Sequence, residues 1–329
     1  MELVCPAGNL PSLKMAINNG VDTVYIGFND DTNARRFAGL NFNFERAKQG
    51  VAYAHSHGKN VYVAINTYTQ NHNLKRFTDA IDKAYDIGAD AVILSDIALL
   101  DYAHKKYPDL NLHLSVQGSS TSYHSLNFYQ QNFNIKRAII ARVLSVKQIA
   151  HLIDNTSVEI EVFGFGSLSI MAEGRCILSS YITGKSPVNF GVCSPASDVE
   201  YIENDIALET RLSGVLIDRY KTDEVSGYPT LCRGRFKVKD KLYYPFEAPN
   251  SLNTLELLPA LKAIGVKAIK IEGRQRSASY VNDVSKVWVE ALGLLKTDNY
   301  EVKQAWQDAL LPLTEGEQTT LGAYERSWM

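Results

Sequence analysis

Short runs of strand-forming residues alternate along this chain with longer stretches in which apolar residues recur at helical spacing. The runs predict β-strands and the stretches predict amphipathic helices. The predicted strands are 2–6, 23–28, 60–66, 91–95, 112–117, 138–143, 159–163 and 268–272. The predicted helices are 44–57, 74–87, 97–106, 122–132, 146–153 and 277–295. This alternation favours βα units around a parallel sheet.

Eight strands with intervening helices predict an α/β fold, a TIM-barrel-like (β/α)8 barrel with a long cysteine-bearing insertion between strands seven and eight. A doubly wound open sheet is the alternative, but CPAGN follows the first strand where that fold would carry G-x-G-x-x-G. The predicted division is 1–166 for strands one to seven, 167–260 for the insertion, and 261–329 for the last strand, the closing helix and a tail from 298.

Composition narrows the class of protein without naming a function. The 329 residues, 45% hydrophobic and 21% charged, can bury a large core. A net charge of -2 gives no general attraction for nucleic acid. Four cysteines make no disulfide framework, the first residues lack the pattern of a signal peptide, and no apolar run is long enough for a membrane span. A cytoplasmic protein is expected.

Polar residues at the carboxyl ends of the predicted strands are the candidate site, because that rim gathers the loops of a barrel. They are Cys5, Asn9, Asn66, Asp96, Gln117, Arg142, Lys270, Glu272 and Arg274. Arg142, Lys270 and Arg274 could clamp a carboxylated small molecule. The alternative is that they form internal salt bridges with Asp96 and Glu272. The candidate substrate-binding residues are Asn66, Gln117, Arg142, Lys270, Glu272 and Arg274.

Three of the four cysteines, Cys176, Cys193 and Cys232, fall within the predicted insertion. Their spacing is too wide for the paired C-x-x-C knuckles of a zinc ribbon. Thiolates gathered from distant loops suit an iron-sulfur cluster, whereas unrelated buried thiols are the alternative. The motifs G-x-S-x-G, H-E-x-x-H and G-x-x-x-x-G-K-[ST] are missing, and no catalytic residue is assigned.

The segment 161–179, EVFGFGSLSIMAEGRCILS, resembles the signature of the collagenase-like peptidase family U32, in which E-x-F-x-x-G-S-L-C is followed by G-x-C. Further segments resemble the ubiquinone-biosynthesis branch of that family. They include MELVCPAGNLPSLK, GVCSPA, GYPTLCRGR, SLNTLELLP and KIEGRQRS. The resemblance covers nearly the whole chain in order.

The resemblance implies a four-iron four-sulfur cluster, with ligand positions that match Ser169, Cys176, Cys193 and Cys232. It also implies oxygen-independent hydroxylation of a ubiquinone precursor, in a heterodimer with a UbiV-like protein and with prephenate as hydroxyl donor. Sister branches modify tRNA or ribosomal RNA, so an RNA-modifying enzyme is the first alternative. A non-catalytic scaffold subunit is the second. Peptidase activity is not expected, because no nucleophile with a nearby base can be picked out.

Ser169 departs from the family pattern, which has cysteine at this position. A serine hydroxyl is a poorer iron ligand than a thiolate. One possibility is a four-iron cluster held by three thiolates, with the fourth iron bound by the Ser169 oxygen, by water or by substrate. Others are a three-iron cluster, an empty site, or an engineered serine. Cys5 is a candidate replacement ligand, although the resemblance does not place it at the cluster.

Overall fold

Eight parallel strands form a closed barrel in the computed structural model, which describes residues 1–170, 176–186, 192–297 and 299–325. They are β1 Glu2–Pro6, β2 Thr23–Gly27, β3 Asn60–Ile65, β4 Ala91–Leu94, β5 Asn111–Leu114, β6 Arg137–Ile139, β7 Glu159–Ser167 and β14 Ala268–Ile271. The ring closes because β14 pairs in parallel with both β1 and β7. The predicted TIM-barrel-like fold is confirmed, and the open doubly wound sheet is wrong.

Helices surround the barrel, and six of the ten described helices begin at a residue whose side chain caps the first turn. In chain order, the helices of the described ranges are α1 Leu10–Asn18, α2 Phe44–Ser56, α3 Leu74–Asp86, α4 Ile97–Lys106, α5 Tyr123–Phe133, α6 Val146–Asp154, α7 Ile177–Thr183, α8 Leu258–Ala263, α9 Ala278–Leu294 and α10 Gln304–Leu310. The side chains of Asn43 and Ser145 accept backbone N–H groups at the starts of α2 and α6. Four short helices, α1, α7, α8 and α10, were not predicted, although α1 and α8 each have a proline in the first turn.

Three strand ends at the rim of the barrel differ from the prediction by more than one residue. β5 stops at Leu114, because residues 116–118 form a 3₁₀ turn capped by Ser115. β6 stops at Ile139, since a turn at 142–143 follows. β7 runs four residues beyond the predicted end at 163, because β13, Ser251–Asn253, pairs with it antiparallel. These differences shape the mouth of the barrel.

The chain between β7 and β14 builds a second layer of antiparallel structure. It contains α7, the sheet of β8 Val199–Glu203, β9 Ala207–Leu212 and β10 Val215–Lys221, the hairpin of β11 Phe236–Val238 and β12 Lys241–Tyr243, and β13. Strand β15, Thr319–Thr320, extends the barrel sheet by pairing with β13. The predicted domain boundaries at 167 and 260 stay predictions.

The carboxyl-terminal segment packs on the barrel. The Trp288 side chain of α9 is fully buried, and Trp306 and Tyr324 are buried in the same core. The Tyr324 hydroxyl donates to the Phe163 carbonyl oxygen of β7 at 2.8 Å. Residues 298 and 326–329 of the predicted tail lie outside the described residues. Within the described ranges, no helix has the length and apolar character that crossing a bilayer requires.

Candidate functional site at the barrel mouth

A cavity of about 220 Å³ lies at the carboxyl ends of the barrel strands. Its barrel wall includes inward-facing strand residues such as Ala64 of β3 and Ile93 of β4, together with Asn66 and Gln117, which lie just beyond the ends of β3 and β5. The other wall comes from the region after β7 and from the tail. That wall includes Cys176, Val192, Cys193, Ser194, Tyr228, Thr230, Cys232, Arg233 and Glu315.

The structure brings together ten residues that the sequence singled out. The lining contains Asn66, Gln117, Arg142, Lys270, Glu272 and Arg274, and also Ser169, Cys176, Cys193 and Cys232. Three other rim residues lie elsewhere. Cys5 packs in the hydrophobic core, Asn9 caps α1, and Asp96 caps α4 by accepting from the Ala98 N–H at 2.8 Å. Asp96 is therefore a helix cap, and the prediction that it pairs with the rim cations is wrong.

The positive charge of Lys270 is balanced by a carboxylate at the floor of the cavity. Its Nζ lies 2.8 Å from Glu161 Oε1 and 3.7 Å from the centroid of the Tyr25 ring. Burial lowers the pKa of Lys270, and the negative charge of Glu161 opposes that change. For this residue the internal salt bridge, which was the alternative to substrate binding, is the arrangement that the structure shows.

Glu272 is a buried carboxylate surrounded by positive charge. Burial raises its pKa, but the Arg35 and Arg142 guanidiniums outweigh burial, so the pKa is lowered overall. Arg35 Nε lies 3.9 Å from Glu272 Oε1, and Gln275 donates to that oxygen at 2.9 Å. Glu272 therefore stays ionised at neutral pH and fixes two arginines at the mouth.

Arg274 differs from these residues, because among the described residues no carboxylate oxygen lies within 4.0 Å of its guanidinium. It is 5% exposed and donates to Asn33 Oδ1 at 2.7 Å. Burial lowers the pKa of Arg274 to about 10. At neutral pH the cavity therefore contains a buried cation that, within the described part of the chain, contacts only neutral groups. An anionic ligand would complete this environment.

Close packing fixes the position of Arg274. A Cβ atom added at Gly27 would lie 2.4 Å from Asn33 Nδ2 and 2.8 Å from Arg274 Nη1. Only glycine leaves room for this pair beside β2. The guanidinium also lies over the Tyr25 ring, with its Cζ 5.4 Å from the ring centroid.

The three thiols of the outer wall influence one another. Burial raises the pKa of Cys193, and the nearby Cys232 and Cys176 raise it further. Burial also raises the pKa of Cys232. Soft thiols facing one cavity are the donors that an iron-sulfur cluster uses. In the part of the chain that is described, no three His, Cys, Asp or Glu side chains form a metal-ligand group. The three thiols are the type of ligand that such a cluster requires, but in this structure they are not already arranged as a metal-binding group.

The carboxyl end of β7 joins the two walls. The Ser167 N–H donates to Glu272 Oε2 at 3.4 Å, and Arg142 donates to the Ser167 carbonyl oxygen. Gly166, at φ +115°, permits this approach, since a Cβ there would lie 2.8 Å from the Glu272 Cβ. Ser169 lies two residues beyond Ser167. The strand that contributes to the barrel wall therefore continues directly into the wall that contains the thiols.

Sequence reasoning missed four charged residues of the site. Glu161 lies two positions before Phe163 on the inward face of β7, so strand periodicity could have found it. Arg35 follows β2 in a loop that no motif marks. Arg233 and Glu315 form a buried pair across 82 residues of sequence, and no local pattern signals such a contact.

The family model for peptidase family U32 matches residues 8–325. The chain belongs to peptidase family U32. The tRNA hydroxylation protein P of Haemophilus influenzae is 31% identical over 312 residues, which cover 88% of this chain and 67% of that protein. The protein of the same name in Escherichia coli is 30% identical, covering 96% of this chain and 72% of that protein.

Two further proteins, one relative by sequence and one solved structure of the same family, are also similar to this chain. A collagenase of Porphyromonas gingivalis is 25% identical over 319 residues, covering 91% of this chain and 67% of that protein. A solved structure of a U32 peptidase superposes with a TM-score of 0.50 at 9% identity, over 84% of this chain and 94% of that one. The structural likeness extends to the fold alone. The expected family is confirmed, while the ubiquinone-biosynthesis branch stays a prediction.

Proposed function

We propose that this U32 protein is a subunit of an oxygen-independent hydroxylase that holds a carboxylated hydroxyl donor in the barrel cavity. One observation carries the proposal. The cavity that is lined by Cys176, Cys193 and Cys232 also contains Arg274, a buried cation without a carboxylate partner in the described structure. The described lining of the cavity contains thiols and an arginine but no histidine, which is the base that activates the nucleophile in Ser-His and Cys-His hydrolases.

The proposed donor is prephenate, a dicarboxylate. Arg274 would bind one carboxylate through its guanidinium fork, which Asn33 and the Tyr25 ring already orient. Ionised Glu272 would repel the second carboxylate of the donor, so that carboxylate would have to lie away from Glu272. Because these groups are buried and hydrogen-bonded before a ligand arrives, little reorganisation is needed on binding.

Cys176, Cys193 and Cys232 would hold a four-iron four-sulfur cluster at the outer wall, with Ser169 at the fourth position. A bound cluster would supply a Lewis-acidic or redox-active iron beside the donor. Burial of Cys193 and Cys232 keeps their thiols protonated in the absence of metal, so cluster assembly must release protons.

We propose a ubiquinone precursor as the acceptor, with a UbiV-like protein as partner subunit. The support is the sequence resemblance to that branch, together with a net charge of -2, which gives no general attraction for RNA. The relatives named tRNA hydroxylation protein favour a second candidate, hydroxylation of a tRNA base at the same cavity. The two candidates share the donor and the cluster and differ only in the acceptor.

Single replacements of Cys176, Cys193 and Cys232 by alanine test the site. We expect each variant to lose iron, measured per chain after anaerobic purification, and to stop ubiquinone formation in anaerobically grown cells. Cys5→Ala is the matched control, because Cys5 lies in the core outside the cavity. Normal iron content and normal quinone in all three variants would refute the proposal, and loss of quinone with normal iron would leave the thiols without a cluster role.

The acceptor is tested separately with RNA. If tRNA is the acceptor, the purified protein should shift tRNA in a gel with an affinity that falls steeply as salt rises. If the ubiquinone precursor is the acceptor, tRNA hydroxylation in the deletion strain should be normal while ubiquinone is lost. Defective tRNA hydroxylation with normal ubiquinone would select the second candidate.

Ser169→Cys tests the fourth ligand position. A thiolate binds iron more strongly than a hydroxyl, so this variant should raise the iron-to-protein ratio and change the electron paramagnetic resonance spectrum. Ser115→Cys is the control, since Ser115 lines the same cavity from the barrel wall. An unchanged ratio in Ser169→Cys, or an equal rise in Ser115→Cys, would contradict a ligand role for position 169.

A further inference from the structure

Three distant segments meet at the carboxyl end of β7. The Ser167 hydroxyl donates to Glu315 Oε1 of the tail at 3.0 Å. One guanidinium nitrogen of Arg233 donates a hydrogen bond to Glu315 Oε2, and another donates to the Leu168 carbonyl oxygen. Arg233 is 5% exposed, so these bonds form away from solvent. One buried guanidinium therefore ties the end of β7 to the tail.

The tail is itself held in place beside this contact. The Glu315 N–H donates to Ser251 Oγ at 3.0 Å, and Ser251 is the residue of β13 that pairs with Ser167 of β7. Gly316 has φ +62°, and a Cβ there would lie 2.5 Å from the Pro249 carbonyl oxygen. The backbone after Glu315 therefore accepts glycine readily and other residues only with strain.

The residues that this contact fixes are neighbours of the thiol site in sequence. Arg233 directly follows Cys232, and Leu168 directly precedes Ser169. A guanidinium bonded to the Leu168 carbonyl thus sets how far Cys232 lies from Ser169. Without Glu315, Arg233 would be a buried cation lacking its carboxylate partner, and the guanidinium would lose one of the two acceptors that hold it at the end of β7.

We propose that Glu315 and Arg233 are positioning residues that hold the Cys232 segment against the end of β7, so that Cys232 and Ser169 face the same cavity. The consequence for iron binding rests on the proposed function. The consequence for thiol accessibility does not, because it concerns only the metal-free chain. These two consequences allow two independent measurements.

The first measurement is the reaction of Cys232 with a thiol reagent in metal-free protein. Glu315→Gln removes the charge that Arg233 needs, so local opening should become easier and Cys232 should react about tenfold faster. Arg233→Lys keeps the charge but loses the planar fork that reaches two acceptors, and it should show the same direction of change.

Glu159→Gln is the matched control, because it likewise removes a carboxylate from a buried arginine, Arg137, but at the opposite, amino-terminal end of β7. Its Cys232 should react as in the wild type. Cys5 provides an internal check in every variant, since it lies in the barrel core and reacts only if the whole fold opens. Unchanged Cys232 reactivity in both Glu315→Gln and Arg233→Lys would overturn the proposal.

The second measurement is iron content after anaerobic reconstitution. We expect a loss of at least half of the bound iron in Glu315→Gln, with normal iron in Glu159→Gln. If wild-type protein itself binds no iron while thiol reactivity responds to Glu315→Gln, the proposed function fails and the positioning role stands. If wild-type protein binds iron and neither readout responds, the positioning role fails and the proposed function stands.

Discussion

At the scale of single residues, the electrostatic state of Arg274 distinguishes this cavity from a packed barrel interior. Lys270 and Arg233 each have a carboxylate partner, so their charges are compensated within the fold. Arg274 contacts Asn33 and the Tyr25 ring, which are neutral. Keeping such a charge buried costs stability, and an anionic ligand would recover part of that cost.

Arg274→Met is therefore expected to weaken binding of prephenate by about 10- to 100-fold, the range for losing a charged hydrogen bond. Isothermal titration at neutral pH measures the change in Kd. Arg276→Met is the control, because Arg276 lies outside the cavity lining and over the Tyr280 ring. Equal affinity in wild type and Arg274→Met would show that the donor binds elsewhere.

At the scale of elements, sequence periodicity predicted the barrel because each strand forms from contiguous residues. It placed β1 at its observed bounds, and it found α4 at its observed bounds. It missed the end of β7, because residues up to Ser167 become a strand only when β13 pairs with them. The pairing of these last residues of β7 with β13, more than eighty residues away, leaves no local signal.

The seam where the barrel closes contains a buried charge network that spans four strands. Glu161 on β7 has 0% exposure and contacts both Lys270 on β14 and Arg137 on β6, at 2.8 and 3.4 Å. Arg137 also lies 2.7 Å from a Glu2 carboxylate oxygen on β1. These ion pairs link β6 and β7 to β14 and β1, the strands between which the ring closes.

Glu161→Gln should lower the free energy of unfolding by about 3–5 kcal/mol, because it removes the carboxylate that pairs with buried Lys270. Arg137 keeps its ion pairs with Glu2 and Glu159. Urea unfolding followed by circular dichroism measures this change. The control is Glu290→Gln, which breaks an exposed pair with Lys303 and should cost less than about 1 kcal/mol. A similar small effect in both variants would mean that the seam network adds little to stability.

At the scale of the whole molecule, the site exists only where the barrel, the segment after β7 and the tail meet. The sequence indicated that the rim residues and the cysteines would converge, because the barrel assigns strand ends to one face. It did not indicate Glu315 or Arg233, whose pairing depends on how distant segments pack. Local patterns encode strands and helices, whereas long-range polar contacts are visible only after folding.

Buried His113 in the barrel core makes the free energy of unfolding of the whole molecule vary with pH in the mildly acidic range. This residue of β5 is 2% exposed, and within the described structure its Nδ1 has no hydrogen-bond partner. Burial, followed by the charges of Arg137 and Lys270, holds its pKa well below the ordinary 6.5. Its ring lies edge-on to Tyr62, with the centroids 4.7 Å apart.

Below pH 6.5 the unfolded chain binds a proton at His113 and the folded chain does not, so the free energy of unfolding must fall as pH is lowered. The loss from this one group approaches about 1.4 kcal/mol per pH unit until the folded pKa is reached. His113→Leu removes the group, and its stability should exceed that of wild type by an amount that grows from pH 6.5 to pH 5. Urea unfolding at several pH values measures both curves. Since every other titrating group is common to the two proteins, parallel curves would mean that His113 is protonated equally in the folded and unfolded chains.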